Sequence, residues 1–143
     1  MPLERRETGA HFDVRIFRDV VVKTNRHVGG PDELRRLVEI QQSLADIDGI
    51  PWAEFDEESG LILEQRMPGD TIRRINTRIT GDQRRAIDQR QRQVLEQIRE
   101  RGFTLRDRTP QNVMFDLDTE QVSVIDFVEI FRGDDKIQAW RAT

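Results

Sequence analysis

The places where this chain can bend restrict what it can fold into. Glycine and proline interrupt it at Gly29-Gly30-Pro31, Gly49, Pro68-Gly69 and Gly102, and the spacing of apolar residues changes from one interval to the next. In FDVRIFRDVVVKT (12–24), Val14 and Ile16 alternate with charged residues. An Arg18-Asp19 turn follows, and Val20 to Lys23 runs on as a second strand, so the stretch predicts a hairpin. GGPDELRRLVEIQQSLADIDG (29–49) predicts a helix with Pro31 in its first turn, Asp32 and Glu33 at the positive end of its dipole, and Gly49 as its stop. Leu37, Ile40, Leu44 and Ile47 form its apolar stripe. WAEFDEESGLILEQRMPGD (52–70) predicts a second hairpin, turning at Glu57–Gly60. Thr80 to Arg101 predicts a long polar helix capped by Thr80 and ended by Gly102, with Ile87, Val94, Leu95 and Ile98 as a thin apolar face. Asn112–Asp116 and Val122–Phe127 pair around Leu117–Glu120, and the segment from Glu129 onward is expected to be a turn plus a short helix or tail. Hairpin, helix, hairpin, helix, hairpin is an α+β order with antiparallel strands.

Composition narrows the function classes. With 143 residues the chain suits one domain with a modest core. No cysteine is present, so there is no disulfide framework, thiol nucleophile or thiolate metal site. A net charge of −4 provides no nucleic-acid footprint, and the arginines of RRINTR (73–78) and DQRRAIDQRQRQ (82–93) read as solvated faces. No membrane span and no apolar leader is expected, which makes a cytoplasmic protein the default. His11 and His27 lack metal-ligand spacing, and Trp52 and Trp140 are expected to pack. Of 23 basic residues only Lys23 and Lys136 are lysines.

The chemistry concentrates late in the chain. In LRDRTPQN (105–112), Asp107 and Asn112 flank Pro110 in a loop between helix and hairpin, where irregular backbone lets both side chains face one space. A carboxylate there can accept the proton of a hydroxyl, and a neutral amide can ligate Mg²⁺ through its oxygen. Asp126, at the end of the next strand, is returned to the same space by the hairpin. Asp, Asn and phosphate oxygens form a hard-oxygen set suited to Mg²⁺ or Mn²⁺. A plain alternative is a loop in which Asp and Asn cap their own backbone.

LRDRTPQN followed by VIDFV resembles the catalytic loop and the metal-binding Asp-Phe-Gly motif of the protein-kinase-like superfamily. The resemblance covers about residues 9 to 130. Its style is that of the atypical branch: RIO kinases, the small kinase/ATPase of the tRNA threonylcarbamoyladenosine machinery, and lipopolysaccharide sugar kinases. It implies a single minimal kinase-like domain over 1–143. Residues 1–67 would form an antiparallel N-lobe sheet with one lysine-partner helix, and 68–143 a strongly truncated helical C-lobe. It implies an ATP/Mg²⁺-dependent phosphotransferase acting on a protein Ser/Thr or small-molecule hydroxyl. Lys23 would hold the ATP phosphates, Asp107 would orient the acceptor hydroxyl, and Asn112 and Asp126 would bind the metal. Gly9 stands where a glycine-rich loop would be. Glu64, Arg66 and Met67 stand at the adenine hinge, with backbone hydrogen bonds expected from 64–67.

The next helix would supply the carboxylate partner of Lys23. Glu33 lies on its apolar stripe, and Glu39 lies at the more usual sequence distance but off that stripe. Stabilising the helix dipole is the other role open to Glu33. Leu105 replaces the histidine that usually precedes Arg-Asp, and Val128 replaces the glycine after Asp-Phe. Those departures, with only residues 130–143 after the motif, leave two further readings: a nucleotide-binding pseudokinase acting as an interaction module, and a partner-dependent ATPase. A protein partner or a homodimer would compensate for the missing lobe.

Overall fold

The computed structural model describes residues 2–106 and 109–141. Five strands form an antiparallel sheet in the order β1-β2-β3-β5-β4. They are β1 (Arg5–Thr8), β2 (Phe12–Ile16), β3 (Val20–Asn25), β4 (Ala53–Asp56) and β5 (Leu61–Gln65). The first two of the three predicted hairpins form this sheet, and β1 joins them as a charged edge strand that the sequence pattern does not announce. Directly opposed residues of antiparallel strands share a face. Register therefore puts Val14, Lys23 and Ile62 on one face, together with Ile16, Val21 and Glu64 two residues away.

α1 (Pro31–Leu44), whose Leu34, Leu37, Ile40 and Leu44 are buried, packs against the β4 end of the sheet. Glu33 closes its start, the Gly30 amide donating to Glu33 Oε1 at 3.3 Å. After Pro68-Gly69 come β6 (Asp70–Thr71), the short α2 (Ile72–Ile75), and α3 (Gly81–Glu100). Thr80 and Gln83 cap α3 reciprocally, each side chain accepting from the other's amide at 3.1 and 3.0 Å. Only one stripe of α3 is apolar, yet Val94 and Ile98 are 0% exposed. Burying such a side chain contributes about 1.5–3 kcal/mol, which is what binds an otherwise charged helix to the core.

Past α3, β7 (Phe103–Leu105) pairs with β10 (Ile130–Arg132), while β8 (Val113–Phe115) stands between β6 and β9 (Val122–Val124). The segment after Glu129 is thus strand first, not the turn and short helix or tail expected of it. Trp140 is 1% exposed and its indole N–H donates to the Val128 carbonyl at 2.7 Å. Trp52, expected to pack, is 47% exposed at the start of β4. The main core joins α1, β4 and β5 to α3, β7, β9, β10 and Trp140. A smaller one gathers Ile72, Ile75, Ile87, Val113, Phe115 and Val122. Among the described residues no helix is long and apolar enough to cross a membrane.

The link between the two sheets depends on Gly69. Its φ is +87°, and a Cβ there would lie 2.1 Å from the Phe115 carbonyl oxygen. Gly60, at φ +74°, faces open space. Gly60→Ala should cost only the left-handed backbone penalty of about 1–2 kcal/mol. Gly69→Ala adds a backbone clash and should cost at least about 3 kcal/mol in urea unfolding; equal midpoints for the two variants would contradict this geometry.

Candidate functional site

The five-stranded sheet and the β6-β8-β9 sheet face each other across a cavity of about 500 Å³. The β1–β2 turn (Gly9, Ala10, His11) forms one lip, and β3 and β5 contribute Lys23 and Glu64. The chain leaving β5 adds Arg66 and Met67, and the β8–β9 hairpin adds Asn112 and Asp126. Val14, Val21, Met67, Met114 and Ile125 give the interior an apolar slot beside this charged end.

Lys23 is the electrostatic centre of the site. Register pairs it with Ile62, so Glu64 is its diagonal neighbour on the same face. Lys23 Nζ lies 3.0 Å from Glu64 Oε2, with the two side chains only 13% and 5% exposed. Burial by itself would push the Lys23 ammonium pKa down. The negative charges of Glu64 and Asp126, with the hydrogen bond to Glu64, more than offset it, and the pKa lies above the usual lysine value. The Phe12 ring lies 5.5 Å from Nζ. The other carboxylate oxygen, Glu64 Oε1, accepts from Gln41 Nε2 at 2.7 Å.

The partner of Lys23 therefore comes from β5, and α1 contributes a neutral glutamine. Glu33 is held at the helix start, with its carboxylate against Gly29 and Gly30, and Glu39 is exposed. Of the roles open to Glu33, the helix N-terminus is the one it fills. Glu64 is also not a hinge residue. Its backbone lies inside the β5 ladder between Val21 and Ala53, and its side chain is what meets Lys23. Arg66 reaches back to the Phe17 carbonyl at 2.9 Å and to Glu4 at 2.9 Å. Gly9 closes the β1–β2 turn through its amide on the Phe12 carbonyl at 2.9 Å.

The β8–β9 hairpin brings Asn112 and Asp126 together. The Ile125 amide donates to the Asn112 carbonyl at 3.0 Å, and the Asn112 amide donates to Thr109 at 2.9 Å, so buried Asn112 is fixed on both sides. Asp126 has φ +67°, a conformation that Asp tolerates better than most residues but that still costs on the order of 1 kcal/mol or more. Its Oδ1 accepts from the Val128 amide at 3.1 Å, which sets the side chain. Asp107 lies outside the described residues. Among the described residues no group of three or more His, Cys, Asp or Glu side chains is placed to hold a metal. The sequence reading missed Gln41 and the pairing role of Glu64, whose parity with buried Ile62 is masked by the all-apolar run Leu61-Ile62-Leu63.

Neither a protein-family model nor a curated protein sequence matches the chain. Solved structures do. The bifunctional kinase-methyltransferase WbdD superimposes with a TM-score of 0.70 at 18% identity, over 92% of this chain and 35% of that one. Monomeric WbdD gives 0.70 at 18%, over 92% and 38%. WbdD co-crystallised with a kinase inhibitor gives 0.56 at 19%, over 95% and 34%. The chain shares the fold of about a third of WbdD. The chain spans little more than a third of the structures it matches, and at such identity the likeness is one of fold.

The ion pair has a measurable pH signature. The chain has no Tyr and no Cys, so no phenol or thiol titration overlaps that of Lys23 at high pH. A lysine whose folded pKa is raised stabilises fully below its unfolded value near 10.4, and that stabilisation is lost as pH rises through the folded value. Unfolding free energy should hold level to about pH 10 and then fall, and the fall should be absent in Lys23→Met. Glu64→Gln, which strands a buried ammonium, should cost about 3–5 kcal/mol at pH 7. A wild-type curve that stays flat to pH 12 would refute the pairing.

Proposed function

We propose that this chain is an ATP- and Mg²⁺-dependent phosphotransferase of minimal, atypical kinase type, acting on a protein Ser/Thr or small-molecule hydroxyl. On this reading it is one unit, with 1–67 above the cavity and 68–143 below it. One observation carries the proposal. A buried, carboxylate-paired Lys23 lines the same cavity as Asn112 and Asp126, which come from the opposite sheet. The kinase-like fold is consistent with it.

The donor set fits a divalent cation of the hard type. Asn112 and Asp126 offer an amide and a carboxylate oxygen on one short hairpin, with room beside them for phosphate oxygens. Mg²⁺ held by these two residues would neutralise charge on the β- and γ-phosphates. Lys23 binds and orients the α/β-phosphates, and Val14, Val21 and Met67 offer apolar walls to the base. Asp107, assigned by its place in Leu-Arg-Asp, takes the proton of the acceptor hydroxyl as the new P–O bond forms. The bond from the γ-phosphorus to the bridging oxygen breaks, and ADP leaves. Positioning and charge stabilisation account for most of such catalysis, so few residues suffice.

The test is a thermal-shift titration with ATP, with and without Mg²⁺, on wild type and Asp126→Asn, combined with γ-phosphate transfer by Asp107→Ala. Wild type should gain about 2.7 kcal/mol at a hundredfold excess of MgATP over Kd. Asp126→Asn should lose the Mg²⁺-dependent part. Asp107→Ala should bind normally and lose transfer by at least about a hundredfold. No shift in any combination refutes the nucleotide reading. Binding without turnover on broad substrate panels favours a pseudokinase module, and turnover only with an added partner favours a partner-dependent ATPase.

A further inference from the structure

We propose that Gln41 of α1 is a positioning residue that ties the helix to Lys23 through Glu64. The inference rests on the phosphotransferase reading for its consequence, though not for its geometry. Gln41 is 5% exposed. Its amide nitrogen donates to two acceptors, the Pro51 carbonyl at 3.0 Å and Glu64 Oε1 at 2.7 Å. Both partners can only accept when Glu64 is ionised, so the orientation of the amide is determined and both of its N–H groups are used. The adjacent Gln42 donates to the Ala53 carbonyl at 2.8 Å, so consecutive glutamines clamp α1 to the strand entering the sheet.

The consequence follows from where Lys23 would otherwise go. Its ammonium is attracted by Asp126 as well as Glu64. If the Glu64 carboxylate turned away, the ammonium would lean toward Asp126 and neutralise the residue proposed to hold the metal. Gln41 occupies one carboxylate oxygen and directs the other at Nζ, which holds Lys23 on its own sheet. A glutamate at position 41 would set a second negative charge against Glu64 in a site with little water, and one of the two would resist ionisation. A neutral donor lets α1 govern the lysine without that conflict. Displacing α1 would then loosen Glu64 and, through it, the grip of Lys23 on phosphates.

The test compares Gln41→Met, which removes the donors at similar volume, with Gln41→Asn, which keeps the amide but is a methylene short. Leu37→Ala is the control for a weakened helix. Because Lys23 and Lys136 are the only lysines, ε-¹³C-lysine NMR of the intact chain reports Lys23 as one of two resolved signals, assigned with Lys136→Arg. Both Gln41 variants should move the Lys23 signal in the direction seen for Glu64→Gln, whereas Leu37→Ala should leave it in place. MgATP affinity should fall about tenfold in the Gln41 variants and less than twofold in Leu37→Ala. A Lys23 signal unchanged in whichever Gln41 variant folds overturns the inference whether or not nucleotide binds. Absence of MgATP binding to wild type defeats the phosphotransferase reading alone. A moved signal with unchanged affinity overturns the control of phosphate binding by α1.

Discussion

A lysine ammonium taken out of water must be compensated, and the way this chain does so organises the rest of the site. Lys23 and Glu64 sit on adjacent strands as diagonal neighbours, so the sheet register puts both side chains on one face, where their charges meet at 3.0 Å. The desolvation cost of two buried ions exceeds their attraction unless their remaining donors and acceptors are met. Gln41 meets the second oxygen of Glu64, and through Pro51 it fixes the turn that feeds β4. Sheet, helix and the loop into β4 thus converge on one carboxylate. A buried ion pair of this kind is a poor device for stability alone, which is one reason to connect it with function.

Across the cavity, rigidity is obtained differently. Asp126 is held in left-handed backbone by the residues C-terminal to it. Its carboxylate accepts the Val128 amide, Val128 is 2% exposed, and the Val128 carbonyl accepts the Trp140 indole. Arg36 of α1 donates to the Trp140 carbonyl at 2.9 Å. The helix that positions Glu64 from one side is therefore also tied to the segment that shapes Asp126 from the other. A glycine at 128 would have fewer backbone restrictions and no side chain in the core. Valine there gives up that freedom and anchors the turn.

Much of this was legible in the sequence because its signals are local. Thr80-x-x-Gln83 closes α3 by chemistry confined to four residues, and the turns at Glu57–Gly60 and Leu117–Glu120 needed only their neighbours. Lys23, Asn112 and Asp126 could be named because short motifs carry them, and they line one cavity. What could not be read depends on distance along the chain. β10 exists because β7 offers it an edge, and nothing within Ile130–Arg132 says so. Glu64 was assigned to a hinge by resemblance alone, and Leu61-Ile62-Leu63, apolar throughout, hides which parity faces inward. Ile62 is buried while Leu63 is 38% exposed, and that difference decides the matter. Trp52 was expected to pack, but it stands just before the edge strand β4 with its indole N–H on Glu54 at 3.2 Å.

The same contrast explains why the partner of Lys23 was sought on the wrong element. A helix wheel orders the residues of α1 by direction and correctly sets Glu39 off the apolar stripe, but it cannot tell a charge that faces the sheet from one that turns back on its own N-terminus. Glu33 does the latter, since Gly29 leaves space for its carboxylate and Gly30 exposes an amide that the carboxylate satisfies. Once Glu33 is occupied there, the buried polar side chain α1 offers to the sheet is Gln41, a residue with no charge to contribute. The carboxylate then has to come from a strand, and β5 supplies it at the position whose face Lys23 shares. Each step follows from satisfying a buried or terminal polar group with whatever lies within reach, and the ion pair is what those choices leave.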